Sequence, residues 1–462
     1  MALPSLSPDA HLESMLLRIQ SLAEDASAVS RPSATGPSCG NAAGAFHPAE
    51  PTSLAAAGLS EVLTEELLLK SLLGRGDASG RQLADQAQLP FALVEPILRR
   101  LKQEQRVHYR DAAEMSDYRY QLTEAGRQAA LRYHHACSYA DAAPVPLADY
   151  VAAVQAQSLT HQHPTEGDLR RAFSDLLVSP RMLRRLGPAI NSGRGLFLFG
   201  SPGNGKTSLA ERITRCFGDS IWIPRALRVD GEIIRLFDPQ HHERLADPDS
   251  GGLLQTGSHD RRWVRIRRPT LLVGGELTME HLELRTNPVT HVSEGPVQLK
   301  SNCGTLVIDD FGRQKMSTAE LLNRWIVPLE KRFDFLNLPS GKSIQVPFDQ
   351  LVVFSTNLEP RDLVDDAFLR RIPYKIEVED PTEEEFLQLF RIFAPKMGFE
   401  YREEPLRYLV ERHYRATGRP FRCCQPRDLL QQVRNLCLFE GSPLELTGPR
   451  LDFAVENYFA VV

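Results

Sequence analysis

No stretch of eighteen or more apolar residues occurs anywhere in this 462-residue chain, so its sequence offers no membrane-spanning helix and no membrane insertion is expected. Its first twenty residues, MALPSLSPDAHLESMLLRIQ, lack the basic leader and unbroken apolar run of a secretory signal, so the expected location is the cytoplasm. None of its seven cysteines forms a CxxC pair, and the adjacent Cys423 and Cys424 have neither zinc-ligand spacing nor good placement for a disulfide between neighbours. The expectation is therefore reduced, buried or idle thiols. An excess of one charge sign is also missing: a net charge of -5 over the whole chain argues against a general polyanion binder but leaves room for a local basic patch. No internal repeat is visible.

What is present divides into segments, and the length suggests more than one domain. Residues 1–55 are rich in Ala, Ser, Pro and Gly, with one short helical stretch near residues 11–24, and read as a disordered tail. Residues 56–140 read as helix, helix, helix, hairpin, helix. Val62, Leu63, Leu67, Leu68 and Leu72 stripe the first helix, Ser79 caps the second, and Val94, Ile97, Leu98 and Leu101 stripe the third. Two strands near residues 106–109 and 118–122 then flank a polar turn, and a helix follows Thr123. That is the order of a winged helix-turn-helix. Residues 141–164, with AAPVP at residues 142–146, read as a linker. Residues 165–380 begin with helices and then alternate short apolar strands with helical segments, the signature of a parallel α/β sheet. Residues 381–462 are helical.

The strongest chemical signal is GLFLFGSPGNGKT at residues 195–207, which fits GxxxxGK[ST] directly after an apolar strand and before a helical stretch. Gly200, Gly203 and Gly205 let backbone N–H groups wrap phosphates without side-chain clash. Pro202 and Asn204 belong to the same loop, and Ser208 follows it into the helix, whose N-terminus favours an anion. Lys206 supplies a positive charge at the β- and γ-phosphates, and the Thr207 hydroxyl is a ligand for Mg²⁺. Downstream, TLVIDD at residues 305–310 is an apolar strand ending in two carboxylates. Asp309 is the candidate to hold Mg²⁺, and Asp310 to orient or deprotonate the attacking water.

With these motifs the chain from about residue 165 resembles an AAA+ ATPase. LVVFSTN at residues 351–357 resembles the sensor 1 strand, which implies that Asn357 binds the γ-phosphate or the attacking water. DAFLRRI at residues 366–372 resembles the arginine-finger box, with Arg371 the better match and Arg370 close behind. QPRDLL at residues 425–430 resembles the start of the sensor 2 helix of the lid, with Arg427 reaching the nucleotide of its own subunit. The family usually has Glu where this chain has Asp310, and the shorter arm makes hydrolysis a separate question from binding. The resemblance implies ATP and Mg²⁺ as ligands and a homo-oligomeric ring, because a finger serves a neighbouring subunit's site. It extends to bacterial AAA+ proteins with a chaperone-like ATPase role, which implies a motor remodelling an unidentified protein substrate. The hairpin expected over residues 333–348 resembles the pre-sensor 1 hairpin of MoxR-like and helicase-like members, whose tip faces the pore or a partner; a plain edge hairpin is the alternative.

Other segments stay open. Between the Walker A motif (residues 200–207) and the Walker B motif (residues 306–310), RVDGEIIR at residues 228–235 reads as a hairpin with an Asp-Gly turn, WVRIRRPTLLV at residues 263–273 as one strand, and the remainder as substrate-contacting loops. His241, His242 and His259 have no coherent ligand spacing and read as surface histidines. In the winged-helix region Arg99, Arg100, Lys102, Arg106, Arg110 and Arg119 are placed for nucleic-acid phosphates, but Asp85, Glu95, Glu104, Asp111, Glu114 and Asp117 offset them. Protein docking is preferred there over DNA binding. A nucleotide-dependent switch with little turnover is the third reading of the whole chain.

Overall fold

The computed structural model describes residues 46–246, 259–363 and 366–460. Five short strands form a parallel sheet: β1 (Leu196–Phe199), β2 (Thr270–Val273), β3 (Thr305–Ile308), β4 (Leu351–Thr356) and β5 (Tyr374–Glu377), in the spatial order β2-β3-β4-β1-β5. Both faces of the central strands are covered, so β1, β3 and β4 read as continuous apolar runs rather than alternating ones. Successive residues nevertheless enter different cores. Leu196, Leu198, Val307, Leu351 and Val353 pack under the helices Glu166–Ala172, Pro180–Asn191 and Lys206–Ile213. Phe197, Leu306, Ile308, Val352 and Phe354 pack on the opposite face around the fully buried Trp325 of the helix Thr318–Lys331.

The region after the first Walker motif is a β-rich insert rather than the expected loops. The strand Ser220–Pro224 pairs antiparallel with Trp263–Arg267. A five-stranded sheet runs Arg285–Thr286, Ser293–Glu294, Glu232–Arg235, Ala226–Val229, Val145–Pro146. The expected Asp-Gly hairpin is there, with Asp230 and Gly231 at φ 49° and 89°, as a type I′ turn requires. Residues 263–273 are two strands in different sheets, not one. Pro269, without an N–H to continue a ladder, lies between them, and its carbonyl accepts the Thr305 N–H at 2.9 Å. The hairpin Phe333–Asn337/Ser343–Pro347 lays Leu336, Leu338, Ile344 and Val346 into this insert's core. Its tip residue Lys342 pairs with Asp230 at 3.3 Å. His242 is a correction: it is 3% exposed, not a surface residue, with Nδ1 accepting the Asp238 N–H at 3.0 Å and Nε2 donating to the Lys300 carbonyl at 2.9 Å.

At the N-terminal side the helices Glu61–Arg75, Gly80–Ala87, Phe91–Gln103 and Glu124–Ala136 surround the hairpin Val107–Ala113/Asp117–Leu122, to which the three-residue strand Asp77–Ser79 adds an edge. Ser79 and Gln82 form a full capping box. Val62, expected in the first helix's apolar stripe, is 59% exposed, and Leu69 is buried in its place. Two boundaries also shift. Residues 1–45, with the expected helical stretch, lie outside the described residues, but within 46–55 Pro48 and Pro51 are buried, Leu54 packs on the N-terminal core, and Phe46 rests on Trp263 with ring centroids 5.5 Å apart. The supposed linker contains the strand Val145–Pro146 and the helix Leu147–Ala156, and the latter's Tyr150 is 1% exposed. A two-residue strand with one apolar residue, Val145, set between two prolines carries no periodicity for the sequence to show. The C-terminal part is helical, with Glu383–Lys396, Gln425–Glu440 and Gly448–Tyr458 enclosing Phe386, Phe390, Tyr414, Leu429 and Val433. The α/β class with a helical C-terminal region, read from the sequence, is the class observed.

Candidate functional site

Ligands of open parallel sheets bind beyond the carboxyl ends of the strands, and there the sequence-derived residues converge. The loop from β1 to the helix Lys206–Ile213 has Gly200, Gly203 and Gly205 at φ 137°, 85° and 80°. Two of these glycines are also required by close approach. A Cβ on Gly200 would lie 2.5 Å from the Val378 carbonyl oxygen, and one on Gly203 would lie 2.5 Å from Cys424 Sγ. Lys206, at the first turn of the helix, is 7% exposed, and its Nζ donates to the Gly200 carbonyl at 2.9 Å, the Ser201 carbonyl at 3.0 Å and Asn357 Oδ1 at 2.6 Å. Burial pulls the Lys206 ammonium below its ordinary pKa, the Asp309 and Asp310 carboxylates push the other way, and Arg422 adds to the lowering.

The second strand end is that of β3. Thr207 Oγ1 donates to Asp309 Oδ2 at 2.9 Å. Asp310 follows in the left-handed region, φ 47°, which Asp tolerates better than most residues. The turn is pinned to β4 by the Phe311 N–H on the Ser355 carbonyl (2.7 Å) and by Thr356 Oγ1 on the Phe311 carbonyl (3.0 Å). The third strand end, that of β4, brings Asn357, whose Nδ2 donates to Asp310 Oδ1 at 3.2 Å. Lys206 can only donate and an ionised carboxylate can only accept, so both partners demand the same orientation of the Asn357 amide. A Lys–Asn–Asp chain therefore crosses from the phosphate loop to the end of β3. Thr207 and Asp309 supply a hydroxyl and a carboxylate side by side, which fits a Mg²⁺ completed by phosphate oxygens and water.

These groups line a cleft of about 810 Å³, together with Pro202, Gly203, Asn204, Gly205 and Ser208 of the phosphate loop. Gly200 is not among the residues that line it. Arg427, the third residue of its helix, lines the cleft and pairs with Asp428 at 3.2 Å. Arg370 and Arg371 do not line it. Arg370 is exposed, and Arg371 Nε lies 3.5 Å from Glu330 Oε2. The sequence reading missed an apolar wall formed by Val178, Met182, Leu389 and Phe393, of a kind suited to a nucleotide base. It also missed Asp380 and Arg422. Asp380 Oδ1 accepts from Asn204 Nδ2 at 2.7 Å and from Arg422 Nη1. No motif marks these two residues, since they meet only where the sheet and the lid come together.

A family described as a domain of unknown function, DUF8689, matches residues 382–457, the helical C-terminal part. No curated protein matches the chain. Among solved structures, NtrX from Brucella abortus aligns at 14% identity over 64% of this chain, with a TM-score of 0.39, and the chain spans 59% of NtrX. The Thermotoga maritima RuvB Holliday junction branch migration motor aligns at 13% identity over 62% of this chain and 70% of RuvB, with a TM-score of 0.35. A complex of the magnesium chelatase subunits BchI and BchD aligns at 16% identity over 60% of this chain and 91% of the matched chain, with a TM-score of 0.30.

Proposed function

We propose that this chain is a P-loop ATPase of the AAA+ type, which binds Mg-ATP in the cleft and hydrolyses it within a ring of its own subunits. One observation carries the reading: groups from three strand ends, Lys206 and Thr207, Asp309 and Asp310, and Asn357, meet in one cleft through contacts that agree on every donor and acceptor. The loop N–H groups and Lys206 cradle the phosphates. Thr207 and Asp309 would hold Mg²⁺, which would neutralise charge on the transferred phosphoryl group. Asp310 takes up the proton of the attacking water, and Asn357, already bonded to it, fixes that water's direction. Arg427 reaches the phosphates of its own subunit, and Arg371 or Arg370 those of a neighbour.

The N-terminal winged helix serves this motor as a protein-docking module rather than a DNA reader. Five of the six cations placed for phosphates are paired at home: Arg99 with Glu95 at 2.7 Å, Arg100 and Arg106 with Glu65, and Arg110 and Arg119 with Asp77 at 3.2 and 2.9 Å, while Lys102 lies over the Tyr109 ring at 4.6 Å. A phosphate-binding face needs cations to spare. It is also fixed to the body, sharing a core with Ala226, Ile233 and Val292 of the insert. A ring that remodels protein partners fits this better than a DNA-associated ATPase. The MoxR-like hairpin role falls to the exposed tip around residues 339–343.

Phosphate release from Mg-ATP, followed over a wide range of protein concentration with light scattering in parallel, tests the reading. Turnover should rise cooperatively as a large oligomer forms. Lys206→Ala should abolish tight ATP binding by calorimetry, and unchanged affinity would remove the phosphate-loop assignment. Binding without turnover at any concentration would instead favour the nucleotide switch, with Asp310 as the limiting group.

A further inference from the structure

We propose that Arg422 is a positioning residue for the phosphate loop: through Asp380 and Asn204 it ties the loop's crest to the helical lid, so that gripping phosphate and seating the lid become one event. This rests on the nucleotide site described above. The crest of the loop, Gly203 and Asn204, is held from two directions. From the sheet, the Val378 N–H donates to the Phe199 carbonyl at 2.8 Å, which places Asp380 beside the loop, and Asp380 Oδ1 accepts from Asn204 Nδ2 at 2.7 Å. From the lid, the Cys424 N–H donates to the Gly203 carbonyl at 2.9 Å, and the Cys423 N–H to Asn204 Oδ1 at 3.4 Å. Arg422 closes the circuit on the same Asp380 oxygen that holds Asn204.

Arg422 itself is anchored. Its N–H donates to Gln425 Oε1 at 2.9 Å, and that oxygen also accepts from Tyr414 OH at 3.0 Å in the lid core. Asn204 is 4% exposed, and beyond the Asp380 carboxylate its Nδ2 reaches only the Glu379 carbonyl, at 3.4 Å, so losing the carboxylate leaves a poorly satisfied buried amide. Unlike Arg427, Arg422 does not line the cleft, so it acts on the loop through Asp380 rather than by contact with the nucleotide. The loop's N–H groups serve the phosphates that ADP and ATP share. Loosening the crest therefore weakens both nucleotides alike, whereas a residue touching the γ-phosphate discriminates between them.

The test is calorimetric titration of the full chain with Mg-ATP and with Mg-ADP, alongside the thermal midpoint without nucleotide. Arg422→Ala should raise both dissociation constants about tenfold, the expectation for losing one charge-assisted hydrogen bond. Arg422→Lys should recover part of the loss. Asp380→Asn, which keeps an acceptor for Asn204 but drops the charge, should behave like Arg422→Ala, and the double variant should be no weaker than either. A loss confined to ATP would make Arg422 a γ-phosphate contact and overturn the proposal. So would unchanged affinities, or losses that multiply in the double variant. If Arg422→Ala does not fold, Arg422→Lys and Asp380→Asn carry the same comparison. Wild-type protein that binds neither nucleotide would remove the site itself, a result distinct from normal wild-type binding with insensitive variants.

Discussion

At the scale of single residues, His242 shows how much a fold can ask of one side chain. The ring is 3% exposed, and its two nitrogens bridge the Asp238 N–H and the Lys300 carbonyl, which requires the neutral form protonated on Nε2. Burial pushes its pKa down to about 4, with the Lys300 carbonyl and Asp238 opposing. In the unfolded chain the ring titrates near its ordinary value, so between about pH 6.5 and 4 the unfolded state binds the extra proton. Stability from this group is complete above the unfolded value and is lost as the pH falls towards the folded one, by up to ~3 kcal/mol at 1.36 kcal/mol per unit. His242→Gln, which removes the titration, should flatten that part of the curve. Urea midpoints at pH 7, 5.5 and 4.5 measure the difference, and parallel acid profiles for the two proteins would show that His242 plays no part.

At the scale of elements, the helix Glu124–Ala136 is placed by a contact that no side chain makes. A Cβ at Gly126 would lie 1.9 Å from the Arg106 carbonyl oxygen and 2.8 Å from its carbon. That carbonyl cannot yield easily, because it accepts the Thr123 N–H at 3.0 Å and Thr123 Oγ1 at 3.1 Å, and Thr123 caps the same helix. Alanine for glycine in a helix ordinarily gains up to ~1 kcal/mol, but overpacking against fixed atoms costs ~1–3 kcal/mol, so the clash wins. Gly126→Ala should lower the thermal midpoint, whereas Gly74→Ala, with nothing within 4 Å of its Cβ, should hold or raise it. Thermal unfolding of the two variants decides this, and equal midpoints would show that the helix shifts freely. The same helix marks what was legible in the sequence. Its Thr123 cap, the Ser79 capping box and the Asp-Gly turn are local signals, and each is where the sequence puts it. The packing of residues 46–55, the strand Val145–Pro146 and the burial of His242 are tertiary facts, set by partners more than fifty residues away, and no local pattern announces them. The site divides in the same way. Lys206, Thr207, Asp309 and Asn357 sit in motifs, while Asp380 and Arg422 are brought together only by the closure of lid on sheet.

At the scale of the whole molecule, the question is whether one subunit completes a site. The cleft gathers the phosphate loop, both Walker carboxylates, Asn357 and Arg427, yet Arg370 and Arg371 lie outside it. Arg371 sits beside Glu330 of the helix Thr318–Lys331, which packs on the opposite face of the sheet from the helix Lys206–Ile213. If that arginine serves a neighbour, each working site is built across a head-to-tail interface. Two inactive proteins then become complementary. Arg371→Ala keeps its own cleft and lacks a finger to offer, whereas Asp310→Asn keeps the finger and lacks its own base. Each should bind Mg-ATP with little loss and release almost no phosphate alone. In an equal, random mixture about one quarter of head-to-tail interfaces join an intact cleft to an intact finger. Phosphate release should therefore return to about a quarter of the wild-type rate if sites fire independently, and to less if they must fire in turn. If the finger acts within its own subunit, every subunit in the mixture stays defective and no activity returns, however completely light scattering shows the oligomers to have mixed.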